Sequence, residues 1–82
     1  MNPNEKKEIN LLGQFCPFPV MNIIREVDRM RGGEVVRFNV DDPLAVKSIP
    51  EELEDYSDIS ISITKNDKGW DIVISKNAGN PV

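Results

Sequence analysis

The spacing of apolar residues changes along this chain between a period of two and a period of three to four. Period two is typical of a strand with one buried face, and the longer period is typical of an amphipathic helix. The pattern predicts strands at residues 8–12, 34–40, 59–64 and 70–74, with Gly13 ending the first of them. A helix is predicted between the first two strands, ended by Gly32-Gly33. Its apolar face comprises Val20, Ile23, Ile24, Val27 and Met30.

A second helix is predicted after the second strand. Asp41-Asp42-Pro43 resembles a helix start, because it combines an acidic cap with a proline in the first turn. Pro50 disfavours the helical conformation of the residue before it. Ser48 and Glu51 have the spacing of a capping box, which would restart the helix. We therefore expect a broken or irregular second helix that runs to about Asp55.

The predicted element order is β-α-β-α-β-β, with the last two strands forming an antiparallel hairpin. A strand–helix–strand crossover places its helix against the sheet, and strands with one polar face place both helices on one side. We expect one domain over residues 1–82, with an ordered core at about 8–76 and loose ends. Its predicted class is α/β (α+β), a two-layer sandwich of a four-stranded mixed sheet and two helices on one face.

The chain contains one cysteine and no histidine, and its net charge is −4. One cysteine cannot form an intramolecular disulfide, a C-x-x-C pair or a structural zinc site. The lack of histidine excludes Ser-His and Cys-His catalytic pairs. Direct nucleic-acid binding is not expected, because phosphate contacts need clustered lysine and arginine. We also expect no cofactor and no metal.

The apolar runs are only a few residues long, which is too short for a membrane span. No apolar segment follows the polar first seven residues, so a secretory signal is not expected. We therefore expect a cytoplasmic protein without membrane insertion.

Cys16 lies between the first predicted strand and the first predicted helix. Pro17 suits the first helical position and Pro19 suits the first turn, so both prolines stiffen this segment. The amides of Phe18 and Val20 are then the free donors nearest to the sulfur. The positive end of the helix dipole stabilises a thiolate or a persulfide anion there, by about 0.3–1 kcal/mol.

The alternative is that Cys16 is a small buried residue without chemistry, which is the ordinary expectation for an arbitrary lone cysteine. Two prolines directly behind Cys16 favour a presented thiol, because a packing residue needs no such rigid turn. The residues alone leave both interpretations open.

The stretch Leu12-Gly13-Gln14-Phe15-Cys16-Pro17-Phe18-Pro19-Val20 resembles the C-P-x-P signature of the TusA/SirA/YeeD family of sulfur carriers. Gly33-Glu34, Asp42-Pro43 and Ile49-Pro50 stand where that family has G-E/D, D-P and I-P. The resemblance covers roughly residues 8–76. It implies a sandwich like the C-terminal domain of translation initiation factor three.

The resemblance also implies a function. Cys16 corresponds to the residue that bears the persulfide, and Pro17 and Pro19 correspond to residues that shape its turn. We expect Gly13 to help shape the site as well. Asp42 is a weaker correspondence with a structural role. The expected activity is a sulfurtransferase-type relay without standalone turnover, in which sulfane sulfur comes from a cysteine desulfurase, a rhodanese-like protein or thiosulfate. The expected acceptor is a protein with a reactive cysteine.

The chain departs from the family pattern at three places. Phe18 stands where many members have an acidic residue, and C-P-F-P is more similar to the branch associated with YeeE-type membrane transporters. Tyr56-Ser57-Asp58 replaces a common Gly-His pair, and Gln14 replaces a frequent arginine. These departures bear on the partners, for which DsrE-like proteins and YeeE-type transporters are candidates.

Phe18, Met21, Arg25 and Arg29 fall opposite the apolar stripe of the first predicted helix. We expect them to form a docking face beside Cys16. The alternative is that Phe18 tucks under the loop at residues 13–15 and that both arginines are ordinary solvated charges.

The expected function is therefore a sulfur carrier that takes sulfur on Cys16 and hands it on. Two alternatives from other classes remain: an interaction or regulatory module with an inert Cys16, and a thiol-redox sensor that forms a mixed disulfide.

Overall fold

The computed structural model describes residues 7–77, and the two ends that we expected to be loose lie outside this range except for residues 7 and 77. The described chain has four strands and two helices in the predicted order. They are β1 (Lys7–Asn10), α1 (Phe18–Arg29), β2 (Val35–Val40), α2 (Pro43–Glu52), β3 (Ile59–Asn66) and β4 (Gly69–Lys76).

The strands form one mixed sheet in the order β1-β2-β4-β3. β1 pairs in parallel with β2, with Ile9 opposite Phe38. β4 pairs antiparallel with both β2 and β3, so that Ile72 lies opposite Phe38 on one side and Ile63 on the other. The predicted hairpin is therefore present, but its second strand lies inside the sheet and its first strand forms the edge.

One face of this sheet and both helices enclose the core. Val36, Phe38 and Val40 alternate with more exposed residues along β2, as the period of two predicted. The buried apolar cluster joins them to the inner faces of α1 and α2. Its members are Leu11, Val20, Ile23, Val27, Met30, Val36, Phe38, Val40, Ala45, Ile49, Leu53, Ile72 and Ile74. The two-layer α+β architecture is confirmed.

The second helix is continuous, so the predicted break at Pro50 is wrong. α2 contains Pro50 in its last turn, and the Leu53 amide donates to the Ile49 carbonyl at 3.0 Å across the proline. Ile49 and Leu53 are both buried, and their packing holds this turn in place. Pro50 has no amide to donate to the carbonyl four residues earlier, so this turn depends on the packing of Ile49 and Leu53 and not on that hydrogen bond.

The first helix ends before the predicted glycine pair. α1 ends at Arg29, and Met30 is extended with φ −69° and ψ 144°. Lys76 Nζ donates to the Met30 carbonyl oxygen at 3.1 Å, so a side chain of β4 satisfies a group at the end of the helix. Gly33, with φ +91°, lies in the following turn.

Candidate functional site

Cys16 lies in the loop between β1 and α1, at residues 12–17, which we call the Cys16 loop. This loop leaves the sheet where the carboxyl ends of the parallel strands β1 and β2 lie side by side. The Leu11 amide donates to the Asn39 carbonyl at 2.8 Å and extends this pairing by one residue. The Cys16 side chain is exposed to solvent, so its thiol is accessible.

The first helix begins at Phe18, one residue later than the sequence predicted. Pro17 is the N-cap of α1 with φ −98° and ψ 9°, and Pro19 is buried in the first turn. The Cys16–Pro17 peptide bond is cis. The Phe18 amide donates to the Phe15 carbonyl at 2.9 Å, so it is not free to face the sulfur as predicted.

Two aspartates after β2 hold the Cys16 loop. The Gly13 amide donates to both carboxylate oxygens of Asp41, at 3.1 Å each. The Cys16 amide donates to Oδ2 of Asp42 at 2.6 Å. Asp42 is buried, with 8% of its surface exposed, so water does not compete freely for this bond.

Asp42 also caps the second helix, as the sequence predicted. Its Oδ1 accepts a hydrogen bond from the Leu44 amide at 3.2 Å, and Pro43 follows it in the first turn. The bond from Cys16 to the same carboxylate was missed, since it joins residues 26 positions apart. The parallel pairing of β1 with β2 would have indicated it, because parallel strands end at the same edge of a sheet.

The remaining contacts of the loop fix its path. Gly13 has φ +85°, in the left-handed region that favours glycine. Asn22 Nδ2 on α1 donates to Gln14 Oε1 at 2.9 Å. The residue that departs from the family's frequent arginine is therefore bonded to the helix that follows the cysteine.

Four exposed apolar side chains lie in the Cys16 loop or at the starts of the two helices. Phe15 is 71% exposed, Phe18 60%, Met21 51% and Leu44 65%; we call these four residues the apolar patch. Cys16 and Leu44 donate to the same carboxylate, which places the start of α2 beside the cysteine. Phe18 is thus not tucked under the loop, and Phe15 and Leu44 join a face that the sequence analysis limited to α1.

Arg25 and Arg29 are exposed farther along α1. Arg25 lies seven residues after Phe18, which corresponds to about 10 Å along a helix. Neither arginine forms a salt bridge within residues 7–77. Two cations therefore follow the apolar patch along one helix, at a distance that a bound protein could span.

No described part of the chain brings together three or more histidine, cysteine or acidic residues that could hold a metal. Within residues 7–77 no helix is long and apolar enough to cross a membrane. A cleft near the ends of β2, β3 and β4 is lined by residues that include Asn39, Trp70 and Asp71. Cys16 does not line this cleft.

Tyr56, which stands where the resemblance has a Gly-His pair, bonds to the first helix. Its hydroxyl donates to Asp28 Oδ1 at 2.7 Å. This hydrogen bond raises the pKa of Tyr56 above its ordinary value of 10.0, and desolvation and nearby carboxylates act in the same direction. The tyrosine stays protonated at neutral pH and holds the turn after α2 against α1.

Comparison with known proteins gives one consistent result. The family model described as "Sulfurtransferase TusA" matches residues 7–76. A protein of Archaeoglobus fulgidus described as "Putative sulfur carrier protein" is 29% identical over 69 residues, covering 83% of this chain and 78% of the relative. A second protein of the same organism and description is 29% identical over 68 residues, covering 83% of this chain and 93% of the relative.

Proposed function

Since the chain belongs to the TusA sulfurtransferase family, we propose that it carries sulfane sulfur as a persulfide on Cys16 and hands it to a partner protein. The observation that carries this proposal is the accessible Cys16 thiol, held on an anchored loop inside an exposed apolar patch. A relay needs these features and no substrate pocket, because the partner supplies the second reacting group.

The transfer is a thiol–disulfide exchange in which no net oxidation occurs. The Cys16 thiolate attacks the outer sulfur of a donor persulfide, a new S–S bond forms on Cys16, and the donor leaves as a thiolate. The acceptor cysteine then attacks the outer sulfur of the Cys16 persulfide and regenerates the Cys16 thiolate. With thiosulfate as donor, the same attack on its sulfane sulfur releases sulfite.

The chain supplies electrostatic help from α1. The Val20 amide has no backbone acceptor within residues 7–77, and it belongs to the first turn of a 12-residue helix directly after the cysteine. The positive end of this helix favours an anionic sulfur nearby. Pro17 and Pro19 shape the turn, and Gly13 lets the chain enter it.

The apolar patch is the surface on which we place the partners. Large exposed apolar patches mark interaction sites, and the residues of this one lie next to Cys16 in the chain or, for Leu44, share the Asp42 carboxylate with it. Arg25 and Arg29 extend it with positive charge that would steer an acidic partner surface. Candidate donors are a cysteine desulfurase, a rhodanese-like protein and thiosulfate, and candidate acceptors are DsrE-like proteins and YeeE-type transporters; we place the exchange in the cytoplasm.

An intact-mass measurement tests the proposal. The protein is incubated with a cysteine desulfurase and cysteine, and separately with thiosulfate. We expect the mass to rise by one sulfur atom, to fall back on reduction, and to stay unchanged in Cys16→Ser. Incubation with oxidised glutathione is the control for redox sensing, and a faster gain of glutathione than of sulfur would favour the sensor.

The same measurement can also contradict the proposal. No sulfur gain from either donor, together with slow alkylation of Cys16, would favour an interaction module with an inert cysteine and would overturn the proposal. Alkylation is included because the exposed thiol should react readily even when the right donor is missing.

A further inference from the structure

We propose that Asp42 is a positioning residue for sulfur transfer at Cys16, an inference that rests on the proposed function. Its two carboxylate oxygens accept hydrogen bonds from two different amides. Oδ1 accepts from the Leu44 amide in α2 at 3.2 Å, and Oδ2 accepts from the Cys16 amide at 2.6 Å. The carboxylate therefore ties the Cys16 loop to the start of the second helix.

Aspartate is better suited to this position than the other common N-cap residues, because it can keep both hydrogen bonds. Asparagine and serine are equally good N-caps, but each presents one side-chain oxygen where aspartate presents two. With either residue, the single oxygen cannot occupy the positions of both Oδ1 and Oδ2, so at least one of the two hydrogen bonds is weakened or lost in a site that is largely closed to water. The cap alone would not require aspartate, so the second bond explains why this side chain stands here.

The hydrogen bond from the Cys16 amide to Asp42 attaches the cysteine to a helix that is packed into the core. α2 is fixed by the fully buried Ala45 and Ile49, and Asp42 is the residue immediately before this helix. Without its Oδ2, the Cys16 backbone would depend on the Phe15–Phe18 turn and the proline rings. Attack of one sulfur on another requires alignment of the reacting atoms, and a misplacement of about 1 Å can reduce a rate by a factor of about a hundred.

Asp41 offers a matched control one residue away. Both of its oxygens contact one donor, the Gly13 amide, at 3.1 Å each. One oxygen is enough for one amide, so Asp41→Asn removes a negative charge and retains the hydrogen bond. Asp42→Asn removes the same charge but also weakens or removes one of two hydrogen bonds, so the comparison separates the effect of hydrogen bonding from the effect of charge.

The experiment compares Asp42→Asn, Asp42→Ser and Asp41→Asn with the wild-type full chain, using a desulfurase as the persulfide donor. Single-turnover transfer to Cys16 is measured as a function of donor concentration. Hydrogen exchange of the Cys16 amide is followed by proton–nitrogen correlation spectroscopy. Thermal unfolding checks that each variant is folded, and Asp42→Ser serves as a second variant if the asparagine variant is unstable.

Loss of alignment should lower the transfer rate at saturating donor by about tenfold or more in both Asp42 variants. The donor concentration at half-saturation should change by less than about twofold, because the apolar patch is intact. Exchange of the Cys16 amide should accelerate in both variants, whereas Asp41→Asn should differ from the wild type by less than about threefold in rate.

Three results would overturn the inference: wild-type saturating rates in both Asp42 variants, equal losses in Asp41→Asn, or a Cys16 amide whose exchange is unaffected by Asp42→Asn and Asp42→Ser. Failure of the proposed function looks different, since the wild type itself would then take up no sulfur. In that case, an unchanged Cys16 amide would still overturn the anchoring by Asp42, and an accelerated one would support it.

Discussion

Gly69→Ala should destabilise the fold, because Gly69 packs directly against the end of β2. A Cβ atom on Gly69 would overlap the Val40 carbonyl oxygen and would lie 2.8 Å from Asp41 Cα. Both obstacles are backbone, so no flexible side chain can move aside. The φ angle of Gly69, +152°, is also one that residues with a side chain rarely adopt.

The magnitude follows from these two terms. A residue held in a sparsely populated backbone conformation costs about 1–3 kcal/mol. Overpacking against a rigid neighbour costs about 1–3 kcal/mol more, so we expect a loss of about 2–6 kcal/mol in the free energy of unfolding. For a domain of this size, each kcal/mol corresponds to about 4–8 °C in Tm.

Gly33→Ala is the matched control. Gly33 has φ +91°, but a Cβ atom there would meet nothing within 4 Å. Its substitution should therefore cost only the backbone term, about 1–2 kcal/mol. Urea unfolding of both variants can be followed by circular dichroism and by the fluorescence of Trp70, the only tryptophan of the chain.

A loss in Gly69→Ala no larger than in Gly33→Ala would refute the packing argument. A second readout connects this position to the site. Because the substitution pushes on Asp41, whose carboxylate accepts from the Gly13 amide, the Gly13 signal in a proton–nitrogen spectrum should move in Gly69→Ala and stay in place in Gly33→Ala.

Two further predictions concern the surface and the single tyrosine. Phe18→Ala and Arg25→Glu should slow sulfur transfer severalfold, because each raises the donor concentration needed for half-saturation. Tm should be nearly unchanged, since both side chains are exposed. Unchanged transfer rates would contradict the proposed docking face. Tyr56 should titrate above 10.0 because its hydrogen bond to Asp28 favours the protonated form. As pH rises, Tyr56 loses its hydroxyl proton in the unfolded chain before it does so in the folded protein. The contribution of Tyr56 to folding stability is therefore complete below about pH 10 and is lost as pH rises through the folded-state pKa. An ultraviolet titration in which Asp28→Asn does not lower this pKa would contradict the assignment.

Local patterns in the sequence were sufficient for most of the secondary structure. The period of two in β2 and the period of three to four in α1 report which side chains face the core, and both faces are buried as predicted. The cap at Asp42 and the hairpin were predicted correctly for the same reason, since each depends on residues close together in the chain. The position of Cys16 directly before α1 belongs to this group, whereas the residues alone left its exposure open.

The errors occurred where a distant contact outweighs a local preference. Pro50 favours a helix break, but burial of Ile49 and Leu53 against the sheet keeps the helix continuous. Gly32-Gly33 favours a helix end, but α1 ends earlier, where Lys76 reaches the Met30 carbonyl. In both cases tertiary contacts determine the backbone, and local propensity is the weaker influence.

The sequence by itself therefore determined the order of elements, the buried faces and the presence of one cysteine at a helix start. Only the tertiary structure decided which residues surround that cysteine. The parallel pairing of β1 and β2 brings Asp41 and Asp42 to the Cys16 loop, and the bond to Asp42 brings Leu44 into the apolar patch. These contacts join segments about 26–28 residues apart, and no local periodicity encodes them, because they arise from the way the strands pair.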